Sequence, residues 1–501
     1  MIGTMRAGGP TRRRLLGAAL AAGLGTLALP APAQDRPFDP DAAIARYGFA
    51  DDQVGYIVFD PRDGAVLAER NADRPFIPAS VSKIPTTVAA LGVLGPEYRF
   101  ETALLADGHV AGGRLHGDLY LRGGGDPVLD SDDLVALARG LRSQGITGVT
   151  GALVYDAGLL ASVSAIDPLQ PLSASYNTGV SALSLNFNII QVQWRRSGAG
   201  AYEVSATTNT DTMRVPVDSV TFAAVPAHAT AGGFYVHRHH DEGEHWGLSP
   251  ALPAQGHDWL PLHDPARNTA MVFRRIAADH GIALGMPRAG AAPPGARVVA
   301  RHHSRPLAEI VRGVLRYSNN LSAELIGMVA SQRLTGRALS LADSGATLGA
   351  WLQQRLPGED WRGYVPANHS GLSSDARMTP RQMAAILRLA DGRTFGAERY
   401  DGLLHPVAWG GAAGQGAGHG AAVAVRAKSG TMYYARGLAG FIDGAAGRRL
   451  GFAVFVSDPT ARRILDAAPV HARTGSAAAR NWLARARELE RTLVGHWATA
   501  Y

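Results

Sequence analysis

The sequence predicts a mixed α/β (α+β) domain assembled from both ends of the chain and split by a large β-rich insertion, and three observations predict it. Apolar residues recur at helical spacing in two separated stretches, Ile84, Val88, Leu91 and Leu94, then Ile310, Val314, Leu321, Leu325 and Met328. Strand-like alternation stands near both ends, in Tyr56-Ile57-Val58-Phe59 and in Val423, Val425 and Ala427, with a buried run at Leu450 to Val456. Between residues 98 and 290 the texture changes to short strands and glycine turns. These boundaries divide the chain into residues 34–97, an inserted region 98–290 and residues 291–501, preceded by an export segment at 1–33.

That first segment carries Arg12, Arg13 and Arg14 ahead of an apolar run from Leu15 to Leu29 and a small-residue Ala31-Pro32-Ala33 site, the layout of a cleaved signal peptide. Thr11-Arg12-Arg13-Arg14-Leu15-Leu16 also fits a twin-arginine signal, with an ordinary secretory signal as the alternative. Both routes imply a periplasmic protein. The run is short for a bilayer and no later stretch reaches about 18 uninterrupted apolar residues, so no transmembrane helix is expected.

Next, Asp63-Gly64 between Tyr56–Asp60 and Ala65–Ala68 reads as a hairpin. Ser80 then opens a helix in which Pro85 is tolerable because it lies in the first turn. In the insertion, Gly112-Gly113 and Gly123-Gly124-Gly125-Asp126-Pro127 mark turns, and residues 205–262, rich in Thr, Pro and His, form a candidate nested subdomain. Arg267 to Ile282 reads as a helix. Ser318-Asn319-Asn320 interrupts the later helical stretch, Lys428 lies on or begins a core strand, and Trp482, Leu483, Ala486, Leu489, Leu493 and Trp497 suit a closing amphipathic helix. Its tryptophans would serve peripheral membrane contact or, as the better expectation, packing on its own sheet.

Composition excludes several functions. Without residues 1–33 the chain carries 45 basic against 42 acidic side chains, with no basic block, so nucleic acid is not indicated. No cysteine is present, which removes disulfides, thiolate metal sites and a cysteine nucleophile. The histidines at 237, 239, 240 and 245, beside Asp241, Glu242 and Glu244, have the composition of a metal site but lack paired ligand spacing, and a solvated loop is expected. Neither metal nor other cofactor is called for. Asp126 reads as a turn aspartate capping backbone N–H groups.

The most telling residues are two lysines, the only ones against 47 arginines. Where a surface cation suffices this chain uses arginine, so each surviving lysine marks a place where arginine fails. An amine is compact and can lose its proton when desolvated or set beside another cation, whereas guanidinium stays charged. Lys83 stands in Ser80-Val81-Ser82-Lys83 and Lys428 in Lys428-Ser429-Gly430-Thr431. On a helix i and i+3 are neighbours, so Lys83 faces the Ser80 hydroxyl, the geometry a base needs to take its proton.

Ser-x-x-Lys at 80, Ser-x-Asn at 318 and Lys-Ser-Gly-Thr at 428 stand in order, the first two 238 residues apart. Each is weak alone; together they resemble the penicillin-binding proteins and serine β-lactamases. The long gap resembles the class C low-molecular-mass penicillin-binding proteins, the D-alanyl-D-alanine carboxypeptidase/endopeptidase family, whose transpeptidase-like domain is interrupted at that point. Gly123-Gly124-Gly125-Asp126-Pro127, Ser181 to Asn188, Ser370-Gly371-Leu372-Ser373 and Gly437 to Ile442 also look like family segments, and the resemblance covers residues 40–495.

The resemblance implies an α/β transpeptidase-like serine hydrolase that cuts peptidoglycan stem peptides and cross-links through an acyl-serine, with β-lactam antibiotics as covalent inhibitors. It makes Ser80 the nucleophile, Lys83 the proton acceptor, Ser318 a relay to the leaving nitrogen and Asn320 the amide that holds substrate and braces Lys83. Lys428, Ser429, Gly430 and Thr431 would receive the substrate carboxylate, and the Ser80 and Thr431 N–H groups would form the oxyanion hole. Ser370-Gly371-Leu372 is expected as a structural loop at the rim of the site. One departure is Ser429, where the family usually has threonine. A β-lactamase and a silent cell-wall binding protein stay as alternatives; the long insertion weighs against the first and the intact motifs against the second.

Overall fold

The computed structural model describes residues 38–501 apart from 198–200, 231–232, 241–242, 397, 408–423, 445–446, 470–472 and 474–475. The export segment at 1–33 lies outside the described residues.

Both ends of the chain meet in one antiparallel six-stranded sheet, ordered His405–Val407, Ala424–Met432, Ala435–Asp443, Arg449–Ser457, Val54–Phe59 and Val66–Arg70. The amino-terminal Val54–Phe59 lies against the carboxy-terminal Arg449–Ser457, Tyr56 opposite Val454. Both are buried along nearly their whole length because helices cover both faces of the sheet. On one face Ile57, Phe59, Ala439, Phe441 and Phe455 pack against the helices Lys83–Leu94, Leu307–Tyr317, Asn320–Thr335, Leu341–Arg355 and Pro380–Asp391. The alternate residues Tyr56, Val58, Leu438, Phe452 and Val454 pack against the closing helix Ala477–Ala500, where Trp482 and Trp497 are buried. The tryptophans thus serve the core, as the packing alternative expects, and among the described residues no helix is long and apolar enough to cross a membrane.

Lys83–Leu94 is the central helix. Its residues from Lys83 to Leu91 are all buried, and the polar ones beside Lys83, Thr86 and Thr87, are satisfied by hydrogen bonds to the His369 carbonyl and to Lys83, Ile84 and Tyr400. Ser80 does not open this helix as the sequence reading has it. It sits one step earlier, in a 3₁₀ turn over Ala79–Ser82, with Pro85 in the first turn that follows. Ala79 holds φ 46°, a left-handed conformation costly for a residue with a Cβ, at the position just before Ser80.

The insertion is larger than its sequence boundaries. Strand Arg297–His303, placed by the sequence reading after residue 290, pairs antiparallel with Glu101–Ala111 and belongs to the inserted sheet. That sheet runs Pro287–Ala289, Leu153–Asp156, Arg114–Arg122, Glu101–Ala111 and Arg297–His303, with helices Ser131–Ser143 and Pro265–Asp279 in its core. The crossings into and out of the insertion lie side by side. The Phe100 N–H donates to Ser304 Oγ at 2.9 Å, and the Ser304 N–H donates to the Phe100 carbonyl at 2.9 Å. The insertion therefore spans about 101–303 rather than 98–290. A β partner distant in sequence leaves no local trace, so local texture ends the insertion too early.

The nested unit likewise starts earlier than residue 205. Ile189–Ser197 pairs both with Ala201–Asn209 and with Gln255–Pro261, closing a four-stranded sheet. The histidine-rich stretch is not a loop: Tyr235–His240 and Gly243–Leu248 are paired strands, with Val220–Ala224 beside the second. Alternation turns His237 inward onto Glu244 at 3.2 Å, and the Glu244 carboxylate also accepts N–H bonds from His263 and Asp264 and the Asn268 amide. Those bonds satisfy a buried carboxylate and tie the nested strands to the helix that follows.

Trp497 is 1% exposed and packs on Tyr56 and Phe452. Trp497→Ala should lower the unfolding free energy by about 3–5 kcal/mol in chemical denaturation. A loss below about 1 kcal/mol would contradict this packing.

Candidate active site

Three separated segments converge on the amine of Lys83. The side chain is fully buried, and its Nζ lies 3.0 Å from Ser80 Oγ, 2.8 Å from Asn320 Oδ1 and 2.7 Å from the Ser370 carbonyl oxygen. The partners decide what protonation state fits. The Ser370 carbonyl can only accept. The Asn320 amide is oriented by its own Nδ2, which donates to the Tyr176 carbonyl at 3.1 Å, so its oxygen faces Lys83 and also accepts. A neutral amine has two N–H groups for these two oxygens and one lone pair, and Ser80 is the one partner of the three with a proton to offer. The cluster suits a base poised on the serine hydroxyl.

Electrostatics act in the same direction. Burial pushes the Lys83 amine well below its ordinary range, the nearby Lys428 ammonium pushes it further, and the buried Glu324 opposes them. Glu324 lies one turn after Asn320 on Asn320–Thr335 and accepts the N–H groups of His369 and Ser370 at 3.0 and 2.9 Å. It thereby holds the peptide whose carbonyl meets Lys83. Burial also forces His369 to remain neutral, with a pKa driven down to about 3, while its ring nitrogen meets Ser344 Oγ at 2.7 Å.

Ser318 ends Leu307–Tyr317 in a left-handed conformation, φ 58°, and Asn319 then caps the next helix by accepting the Ser322 N–H at 2.9 Å. This break is what lets Asn320 begin a new helix aimed at Lys83. Lys428, on strand Ala424–Met432, is nearly buried and donates to the Ser429 carbonyl at 2.7 Å. Its pKa is lowered to about 8 by burial and then by the Arg436 guanidinium. Ser318, Lys428 and Ser429 line one cleft of about 900 Å³.

Gly430 explains why the strand motif needs a glycine. A Cβ there would lie 2.5 Å from the Pro78 carbonyl oxygen and 3.0 Å from the backbone nitrogens of Ser80 and Val81. Only a bare backbone lets the strand lie against the Ser80 turn. Beyond Ala427, where pairing with His405–Val407 ends, the described residues leave the outer edge of this strand open beside the serine.

All the residues singled out in the three motifs fall in this region. Ser370-Gly371-Leu372 does not lie at the rim, as its sequence suggests, since Ser370 is fully buried and its carbonyl forms the floor beneath Lys83. A backbone acceptor has no signature in sequence. Sequence reasoning also missed Glu324, Tyr176 and Arg436; a glutamate one helical turn after Asn320, within the apolar run Leu325-Ile326-Gly327-Met328-Val329 that follows it, was an available signal. Asp126 does cap a turn, accepting the Val128 N–H at 2.9 Å, with His302 3.5 Å from its other oxygen. Among the described residues no group of three or more His, Cys, Asp or Glu side chains is placed to hold a metal ion.

Comparison with known proteins gives consistent matches. The sequence profile of the D-Ala-D-Ala carboxypeptidase 3 (S13) family matches residues 41–475. A D-alanyl-D-alanine carboxypeptidase of Actinomadura sp. (strain R39) is 27% identical over 431 residues, covering 80% of this chain and 77% of that protein. The D-alanyl-D-alanine carboxypeptidase DacB of Haemophilus influenzae is 24% identical over 421 residues, covering 81% and 85%. The crystal structure of penicillin-binding protein 4 from Haemophilus influenzae has the same fold, with a TM-score of 0.73 at 20% identity over 92% of this chain and all of that one.

Proposed function

The chain belongs to the D-Ala-D-Ala carboxypeptidase 3 (S13) family, and on that premise we propose that it hydrolyses D-alanyl-D-alanine termini and D-alanyl cross-links of peptidoglycan through an acyl-enzyme on Ser80. The observation that carries the reading is the Lys83 amine, fully buried, 3.0 Å from Ser80 Oγ and bonded otherwise to two oxygens that can only accept.

In this reading Lys83 takes the hydroxyl proton as Ser80 Oγ attacks the carbonyl carbon of the penultimate D-alanine. The developing oxyanion lies against the backbone N–H groups of Ser80 and Thr431, donors whose individual loss typically costs about 100- to 1000-fold in rate. The proton then passes through the Ser318 hydroxyl to the leaving nitrogen as the C–N bond breaks. Water attacks the acyl-serine, Lys83 accepts its proton and returns one to Ser80 Oγ. Asn320 and the open edge of Ala424–Met432 hold the peptide, while Ser429, Gly430 and Thr431 with Lys428 receive the terminal carboxylate. Terminal D-Ala-D-Ala and the D-Ala-diaminopimelate cross-link share a D-alanine carbonyl joined to nitrogen on a D-centre bearing a carboxylate, so one site serves both.

β-Lactams would acylate the same serine and keep their leaving group in place, which slows water. A complex of the Haemophilus influenzae penicillin-binding protein 4 with a β-lactam has the same fold, TM-score 0.70. Residues 1–33 would direct the enzyme to the periplasm by a twin-arginine or ordinary secretory route. The insertion touches the site through the Tyr176 carbonyl on Asn320, which favours a part for it in selecting peptides.

A fluorescent penicillin should leave a lasting adduct on Ser80, seen by intact mass and peptide mapping, and purified enzyme should release D-alanine from pentapeptide muropeptides and split cross-linked dimers. Rapid turnover of benzylpenicillin with no adduct would instead favour a β-lactamase. Lys83→Arg should abolish acylation although charge is kept, because guanidinium does not become neutral at working pH. Lys428→Arg should lose less. Near-normal acylation by folded Lys83→Arg would reduce Lys83 to a fixed cation.

A further inference from the structure

A buried ion pair that no motif predicts stands next to the strand that carries Lys428. Arg436 lies on Ala435–Asp443 directly opposite Thr431. Its Nε and Nη2 donate to the two oxygens of Glu490, on the closing helix, at 2.8 and 2.6 Å, a bidentate pair with side chains 12% and 5% exposed. The remaining Nη1 is turned the other way. It donates to Thr431 Oγ1 at 2.6 Å and approaches the Gly430 carbonyl at 3.4 Å.

An arginine is unremarkable in itself in a chain with 47 of them. Its placement is not. Burying a charged pair costs desolvation that its mutual attraction offsets only partly, so such a pair is weak evidence for stability and better evidence for positioning. Here Glu490 uses one edge of the planar guanidinium, which fixes the plane and sends Nη1 to Thr431. The consequence lies in the threonine. Its oxygen is occupied as an acceptor by a cationic donor, so its own O–H is left to point away from Arg436 as a donor, and donation from a hydroxyl polarised in this way is strengthened. Arg436 also lines the same cleft as Ser318, Lys428 and Ser429, and its charge helps lower the pKa of Lys428.

We propose that Arg436, locked by Glu490, is a specificity-determining positioning residue that sets Thr431 as a hydroxyl donor to the free α-carboxylate of the substrate's last residue. It thereby selects peptides ending in a carboxylate over those whose terminus is blocked. The inference rests on the proposed function, in that the substrate is a D-Ala-D-Ala peptide cut at Ser80. At Ser429, where the family usually has threonine, a serine is less restricted about χ1, so carboxylate positioning falls to the neighbouring Thr431 hydroxyl, which Arg436 holds.

The test compares an N-acylated tripeptide ending in D-Ala-D-Ala as the free acid with the same peptide ending in D-alanine amide. Arg436→Gln should lower kcat/KM for the acid ~10- to 100-fold, the range expected for a lost hydrogen bond to a charged group, and change the amide less than about twofold. The loss should appear mainly in KM. Arg436→Lys should recover only part of it, since an ammonium lacks the fork that reaches both Glu490 and Thr431. Because Arg436→Gln leaves Glu490 buried without its partner, Arg436→Gln/Glu490→Gln is measured beside it and should give the same collapse of acid-over-amide preference. Equal losses on acid and amide in both variants, while wild type still turns over the acid at Ser80, would overturn the role of Arg436 alone. Failure of wild type to cleave either peptide would overturn it together with the proposed function.

Discussion

Everything at this site depends on burying one amine. Lys83 lies in a helix whose every neighbouring residue is buried, so its charged form is penalised by desolvation, and a second cation adds to the penalty. The fold meets that cost with geometry. Two fixed acceptors, the Asn320 amide oxygen and the Ser370 carbonyl, satisfy two N–H groups, and Ser80 takes the third direction. The cost is also a statement about stability. Below its folded pKa Lys83 must be held charged and buried, so it destabilises the fold there. Between that value and its unfolded 10.5 the unfolded chain binds more protons, and stability rises with pH across the window.

The architecture serves to bring distant segments to that amine. Strand Val54–Phe59 delivers the Ser80 turn from one end of the chain and Arg449–Ser457 locks it from the other. The insertion can be large because it leaves and returns through two adjacent positions, Phe100 and Ser304, that close the gap with reciprocal hydrogen bonds. Glycine does the final fitting: Gly430 lets the Lys428 strand reach the Ser80 turn, and Gly371, at φ 74°, lets the Ser370 loop press on Ala79 from the other side. The strained Ala79 sits between them, over-determined by both.

What could be read from sequence and what could not divides along physical lines. Ser80 and Lys83 are legible because their contact is local, three residues along one turn. Lys428 is legible because it is one of only two lysines in a chain that otherwise uses arginine, and it opens Lys428-Ser429-Gly430-Thr431. Ser318 and Asn320 needed the resemblance. Arg436 and Glu490 were invisible because their pairing joins a strand to a helix 54 residues later, and an arginine in this composition attracts no notice. The Ser370 carbonyl was invisible because backbone atoms have no letter. The same holds for strand Arg297–His303, whose partner is almost two hundred residues earlier, and for the histidine stretch, whose inward alternation is masked by polar residues on both faces.

Having only two lysines makes the central claim directly observable. In protein carrying ¹³C at the lysine ε-carbon, two side-chain resonances should appear in the folded enzyme, and each can be followed with pH. We expect one, assigned by the loss of its signal in Lys428→Arg, to titrate near pH 8, and the other, Lys83, to titrate well below the ordinary lysine value. A Lys83 resonance that titrates near the ordinary lysine value of 10.5 would contradict the account, because a permanently charged Lys83 could not take the proton of Ser80.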